Sequence, residues 1–511
     1  MIKIMVFLLF LLLQVGPLAV AESRDVSKNK PQLATSTTVS QGLHRLAEQS
    51  ERLKVVKLGQ SAGGRPIEAV LVSADPDFLN QSAPQANKVT VMLFGSQHGN
   101  EPAGSEALRR LVKEFSQNQH SELLTRLNLV LVVLANPDGR DLASRYNANK
   151  DNTNIDYVAL AAGETQLLVD ALHDFDPDVV YDAHESGIWK RVLTKQQGWL
   201  TDVEAQFDMG NNPNIDIRLH HYTEQKLLPM LIERVSEAGL PASRYRGEIT
   251  QLEQSVARGG LGITNLRNYA ALQGRVSILV ENRLDNKQGH YDSPRNIDER
   301  IRKQHLSMLT MLQLVSEEAE PLLAVSRAAR SHWQSGTHGE QELVMSVGFG
   351  VNESEPQVEI PLVRLSDGQS ALHTFANHDA IIASQAVALP AAYAITREQA
   401  RMATWLARHH IDFTTLTKAQ SFAAQRLSIT KLSPPLNVRS GVREKIQATV
   451  HSEPSQVTLS AGDLLVPMAQ PLAPLAALML DPRSANALYQ EASWPWLALG
   501  EFPVFPILTP P

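Results

Sequence analysis

Three β-branched apolar runs of this chain each lead to a residue that can hold a metal ion or move a proton, and this limits the folds open to it. Val89 to Gly95 leads into His98-Gly-Asn-Glu101, Asp178-Val-Val-Tyr-Asp-Ala leads to His184, and Val276-Ser-Ile-Leu-Val leads to Glu281. Such runs alternate with helical periods, as in Gly104 to Phe115 and Gly163 to Phe175, which predicts an α/β fold with a mixed sheet flanked by helices. In open sheets of this kind reacting groups gather beyond the carboxyl ends of the strands. The three strand ends are therefore expected to meet.

His98 and Glu101, in a loop leaving a strand, can aim an imidazole and a carboxylate at one point. Zinc accepts nitrogen and oxygen ligands together, and a catalytic zinc keeps one position open for water. His184 is the expected third ligand and Glu281 the expected base. Singly, each has an ordinary alternative role: a polar loop residue, a hydrogen-bonded histidine at a strand end, a salt-bridge partner for Arg283. Cysteine is absent from the 511 residues, which excludes thiolate ligands and disulfides.

These segments resemble the zinc carboxypeptidases of the pancreatic type and, within them, a bacterial secreted branch. The resemblance rests on His98-Gly-Asn-Glu101, Asn136-Pro-Asp-Gly139, Asp182-Ala-His184-Glu185, Arg267-Asn-Tyr269 and Ser277-Ile-Leu-Val-Glu-Asn-Arg283. It implies one zinc ion on His98, Glu101 and His184, Glu281 as general base, and Arg145 as the group that polarises the scissile carbonyl. Asn149-Lys-Asp-Asn-Thr-Asn-Ile-Asp-Tyr157 is similar to the family's Asn-Gly-Val-Asp-Leu-Asn-Arg-Asp-Tyr, so Asn154 is expected to hold the substrate's terminal carboxylate.

Two positions depart from that pattern. Ile155 stands where the family has an arginine paired with the terminal carboxylate, and an isoleucine has no donor to replace a charge-assisted guanidinium fork. Asn152 takes the place of an aspartate that orients the first ligand histidine, with Asp151 next to it as a stand-in. Tyr269 and Tyr245 are the candidates for a tyrosine on the substrate side, or are packing residues. Arg283 lies two residues beyond Glu281, on the same side of the strand, and is a candidate to catch a carboxylate. Arg258-Gly-Gly-Leu-Gly262 would line the cleft or form a simple turn. The pairs His220-His221 and His409-His410 are expected at the surface.

Met1-Ile-Lys3, the apolar run Ile4 to Leu13 and Ala19-Val-Ala21 read as a signal peptide over 1–21. That run is short for a membrane span, so a secreted or periplasmic protein with no stable span after leader removal is expected. A flexible segment over 22–40 would precede a first helix around Gly42 to Arg52. A zinc carboxypeptidase-like catalytic domain is expected over 41–325 and a β-rich accessory domain over 326–511. The latter would hold strands at Glu342 to Val351 and Gln357 to Leu365 and a helix at Arg397 to His410. Its segments Ala461 to Pro467 and Leu478 to Pro482 look like the tail of the same bacterial branch. Pro503 and Pro506 argue against a continued final strand, because proline lacks the ladder donor.

With 47 Lys and Arg against 54 Asp and Glu, the formal charge of −7 offers nothing to nucleic acid. The partner expected instead is a peptide or peptide-like substrate. The expected activity is that of an exported zinc metallocarboxypeptidase. The alternatives are a zinc amidohydrolase or deacylase acting on peptide-like or cell-wall fragments, and a binding protein on a decayed catalytic site.

Overall fold

Eight strands build the sheet that positions the candidate site: β1 (Leu53–Gln60), β2 (Pro66–Val72), β3 (Val89–Gly95), β4 (Leu127–Val132), β5 (Val179–Gly187), β6 (Ala205–Met209), β7 (Ala242–Arg244) and β8 (Val276–Leu284). The computed structural model describes residues 33–81, 87–284, 297–335, 342–433, 447–490 and 496–509. The expected signal peptide over 1–21 lies outside them.

The strand order is β1-β2-β4-β3-β5-β8-β6-β7. β4, β3, β5 and β8 run parallel to one another, β1 and β2 pair antiparallel with their neighbours, and β6 pairs antiparallel with β8 but parallel with β7, so the sheet is mixed. Every residue of β3 and β4 is buried. This is why their sequences are almost continuously apolar: parallel strands covered on both faces have no solvent side to mark with polar residues.

Six helices matter for the site: α1 (Ser36–Glu48), α2 (Ala103–Ser116), α3 (Gly163–Phe175), α4 (Leu266–Ala271), α5 (Ile297–Glu317) and α6 (Gln399–Arg408). The first begins at Ser36, inside the segment expected to be flexible and ahead of the expected start at Gly42. The Thr35 side chain caps it by accepting from Thr38 N. The Asp141 carboxylate also accepts from Ser36 N at 2.7 Å and Ser36 Oγ at 2.6 Å. Local capping and one tertiary anchor thus order a polar stretch that has little apolar periodicity to announce it.

The chain after residue 342 is rich in strands. Gln357–Arg364 and Ser370–Asn377 form a four-stranded sheet with Trp199–Thr201 and Ser255–Val256, two short segments inserted after β5 and β7. A further sheet contains Ala392–Ile395, Gln420–Ser433, Gln447–Leu459, Leu464–Pro467 and Val504–Ile507. The final strand therefore does form, against the expectation from its prolines. The carbonyls of Pro503 and Ile507 accept from Thr396 and Ala391 of one neighbour. By strand alternation the nitrogen of Pro506 faces the other edge, and its missing hydrogen costs that pairing nothing.

One apolar cluster runs from Val39 through the eight-stranded sheet to Val504 and crosses the boundary expected near residue 325. Among the described residues no helix is long and apolar enough to cross a membrane.

Candidate metal centre

β3, β5 and β8 are neighbours in the middle of the sheet, so the segments that follow or end them leave from one edge. Gly95 is in register with Ala183, and His184 with Glu281. Ser96 adopts a positive φ of 53°, which turns the chain sharply after β3. A Cβ on Gly99 would lie 1.9 Å from the carbonyl carbon of Gly139, so only glycine lets this loop press against the Asn136–Arg140 backbone.

His98, Glu101 and His184 come together and are all buried. His98 Nδ1 lies 2.9 Å from Glu101 Oε1, His184 Nδ1 lies 2.8 Å from Glu101 Oε2, and the two Nδ1 atoms are 3.1 Å apart. A tetrahedral zinc with ligands at about 2.1 Å would hold its ligand atoms roughly 3.4 Å from one another. Three donors converging at nearly that separation, with no thiolate among them, fit zinc.

The electrostatics set the three apart. Burial disfavours charge on Glu101, but the His98 and His184 imidazoles outweigh it and hold the carboxyl well below its usual range. Burial lowers His98, with Glu101 opposing. For His184 burial is overcome by Asp182 and Glu101, and its pKa rises well above the ordinary value. Glu281, aligned with His184 on the next strand, is pushed up to about 8 by burial, with His184 and Arg145 opposing and Glu101 and Asp182 adding to the rise. Arg145 Nη1 donates to Glu101 Oε1 at 3.2 Å, and its side chain is 42% exposed, open to the solvent side of the cluster.

Behind the candidate ligands lies a polar network. Asp182 Oδ2 is 3.0 Å from His184 Nε2, the ring nitrogen facing away from Glu101. Gln97 Nε2 donates to Asp182 Oδ1 at 2.7 Å, and Tyr157 OH donates to Gln97 Oε1 at 2.8 Å. Glu185, next to the ligand, forms a bidentate pair with Arg300 of α5 at 2.6 and 2.8 Å, while Gln304 donates to His184 O at 2.7 Å. Asp182 and Gln97 are not among the site residues expected from the sequence. Asp182 had a usable signal, since it precedes His184 by two and so shares its side of the strand; Gln97, Arg300 and Gln304 had none.

The remaining expected site residues are placed less uniformly. Asn152 Oδ1 accepts from Asn154 N at 3.2 Å, and the Asp151 carboxylate faces Asn147 at 3.4 Å. Neither reaches His98, whose Nε2 has no hydrogen-bond partner among the described residues. Asn154 Oδ1 is likewise buried without one, and Ile155 follows it in a short 3-10 turn. The Arg283 guanidinium lies 3.1 Å from Glu204. Arg258 is engaged with Glu224 and Asp379. The Tyr269 hydroxyl donates to His409 Nδ1 at 2.9 Å, the acceptor role following from the His409 Nε2 contact with Val158 O. Burial, and next the Glu281 carboxylate, push the Tyr245 phenol up, which puts that phenol within the field of the expected base. His409, expected at the surface, is only 1% exposed. The helical period carried no sign that α6 docks against the segment after Tyr157.

Residues 39–191 match the family described as zinc carboxypeptidase. Carboxypeptidase 2 of Trichophyton equinum is 23% identical over 483 residues, which cover 91% of this chain and 84% of that protein. Probable carboxypeptidase 2 of Arthroderma benhamiae is 27% identical over 228 residues, covering 44% of this chain and 43% of that protein. The crystal structure of a metallo-carboxypeptidase from Burkholderia cenocepacia aligns with a TM-score of 0.42 at 18% identity, covering 55% of this chain and 69% of that one.

Proposed function

We propose that this chain, whose residues 39–191 match the zinc carboxypeptidase family, is an exported, zinc-dependent carboxypeptidase that hydrolyses peptide amide bonds at a free C-terminus. The observation that carries this reading is the convergence of His98 Nδ1, His184 Nδ1 and the Glu101 carboxylate, with Glu281 in register beside His184. Export rests on the leader-like segment 1–21.

A zinc ion held by His98, Glu101 and His184 would supply a water of lowered pKa and an electrophile for the substrate carbonyl. Glu281 accepts the proton of the attacking water and returns it to the leaving amine; a buried carboxylate of raised proton affinity suits that exchange. Arg145 steadies the oxyanion as it develops, an effect that grows as water is excluded. Asp182 keeps the His184 ring oriented, as outer partners of metal-bound histidines do. Asn154 binds the terminal group of the substrate. Arg283, two residues beyond Glu281 on the same side of β8 and held by Glu204, is the candidate to add charge on the substrate side. Of the two tyrosines, Tyr245 is the better placed to meet substrate, while Tyr269 acts from behind through His409.

Ile155 favours a second reading, hydrolysis of peptide-like amides that lack a free terminal carboxylate. The test is zinc analysis of the purified chain together with hydrolysis of matched free-acid and C-terminally amidated peptides, in wild type and Glu281→Gln. Zinc at one equivalent, with Glu281-dependent release from free acids alone, supports the carboxypeptidase. Equal cleavage of amidated peptides selects the second reading, and a chain that binds no zinc refutes both.

A further inference from the structure

The segment from Thr153 to Ala162, which carries Asn154, is gripped from two sides. On the ligand side Thr153 Oγ1 donates to Gln97 O at 3.0 Å and Tyr157 OH to Gln97 Oε1 at 2.8 Å, and Gln97 adjoins His98. On the other side stands the end of α6, more than 200 residues later in the chain, from the strand-rich half. Val158 O accepts from Trp405 Nε1 and from His409 Nε2, each at 3.1 Å. The neighbouring Arg408 guanidinium donates to Leu160 O, and its Nε to Gln166 Oε1 at 2.6 Å.

The His409 ring is committed at both nitrogens. Nε2 faces a carbonyl and must carry the hydrogen, so Nδ1 accepts from Tyr269 OH. The imidazole is then neutral and has a single tautomer. Tyr269 in turn packs against Tyr157, with ring centroids 5.3 Å apart. Between the two clamped carbonyls the chain needs restraint. Leu160 is fully buried at a φ of +48°, a conformation that non-glycine residues keep only where their surroundings over-determine it. The Asp156 carboxylate, accepting from Ala161 N and Ala162 N, closes the far end of the segment.

We propose that Trp405 and His409 are positioning residues for substrate binding: by clamping Val158 O they hold Asn154 where the terminal group of the substrate is received. This rests on the role given to Asn154 above. The strand-rich half is then part of the substrate site, although all three candidate ligands and the candidate base come from the eight-stranded sheet and its loops.

The test uses the full-length, zinc-loaded protein with Trp405→Phe, His409→Leu, the double variant and His409→Gln, whose amide can still donate to Val158 O. In the double variant KM for a free-acid peptide rises about tenfold while kcat stays within about twofold. Zinc stoichiometry is unchanged, and His409→Gln stays near wild type. Backbone hydrogen exchange over 153–162 speeds up in the double variant while that of 89–95 does not. Unchanged KM together with unchanged exchange overturns the proposal, and so does parallel loss of zinc and kcat, which would mark general damage to the centre. If wild type cleaves no peptide, the functional reading has failed, and the exchange measurement alone decides whether the clamp exists. Trp405→Phe keeps the ring and tests one donor by itself if the double variant does not fold.

Discussion

The eight-stranded sheet and the strand-rich half that follows residue 342 bury their residues in different ways. β3 and β4 have no exposed position, whereas Gln357–Arg364 alternates between buried and open residues and Ala380–Ala388 keeps most of its residues exposed. A charge inside the first region has no water to turn to and must be paired there. Glu185 with Arg300, Asp208 with Arg267 and the ligand cluster itself are such pairs. In the second region Arg426 and Glu501 meet with half or more of their surface in reach of solvent on the acid side, where screening leaves little energy. Interactions that can tune a proton or grip a metal need such dry surroundings. What the other half lends is restraint.

That contrast can be broken or sharpened by substitution. The largest effect expected is on turnover: Glu281→Gln lowers kcat by about 10²- to 10⁴-fold with zinc still bound, as steady-state kinetics beside metal analysis would show. Retained turnover would remove the base from the dry region altogether. Next comes stability. Arg300→Met strands the buried Glu185 carboxylate and costs about 3 to 5 kcal/mol, read by urea unfolding of both proteins.

Acid should distinguish the interior histidine of α6. Burial pushes His409 down to about 3, so between that value and its ordinary pKa near 6.5 the unfolded chain binds a proton that the folded chain refuses. Stability due to neutral His409 is complete above pH 6.5 and is lost as the pH falls. At pH 4.5 the wild type should have lost about 2 to 3 kcal/mol more than His409→Gln has. Equal losses in the two proteins would contradict a neutral, dry His409.

Asp182→Asn comes below that, with zinc affinity or activity reduced by about 10- to 100-fold, measured by competition with a chromophoric chelator. The smallest effect belongs to the open half: Arg426→Ala should move stability by less than about 1 kcal/mol. A larger change in thermal unfolding would mean that the exposed strands are coupled more tightly than their solvent contact implies.

Much of the site could be read from residue order because strands and short loops carry chemistry at regular places. His98 and Glu101 are three apart in one loop, and His184 and Glu281 close or nearly close apolar runs, so a local pattern points to each. In the strand-rich half α6 was legible from its apolar period, whereas the helix Ala473–Leu480, buried all round, has no polar face to reveal it. The final strand departs from the expectation because residue order does not say which edge the nitrogen of Pro506 turns toward. His409 was misjudged because an adjacent histidine pair in a polar helix looks the same whether or not another segment covers it.

By itself, the sequence determined the class of fold, the residue types that meet at the candidate metal centre and the absence of any thiolate alternative, because these follow from hydrophobic period and from donor chemistry. Only the tertiary structure decided that Asp182 and Gln97 back His184, that Asn152 and Asp151 leave His98 Nε2 without a partner among the described residues, and that Trp405 and His409 reach across the chain to Val158. Periodicity reports which side of an element is buried. It carries no information about which distant element will cover that side, and the partner of a buried polar atom is chosen by that covering surface.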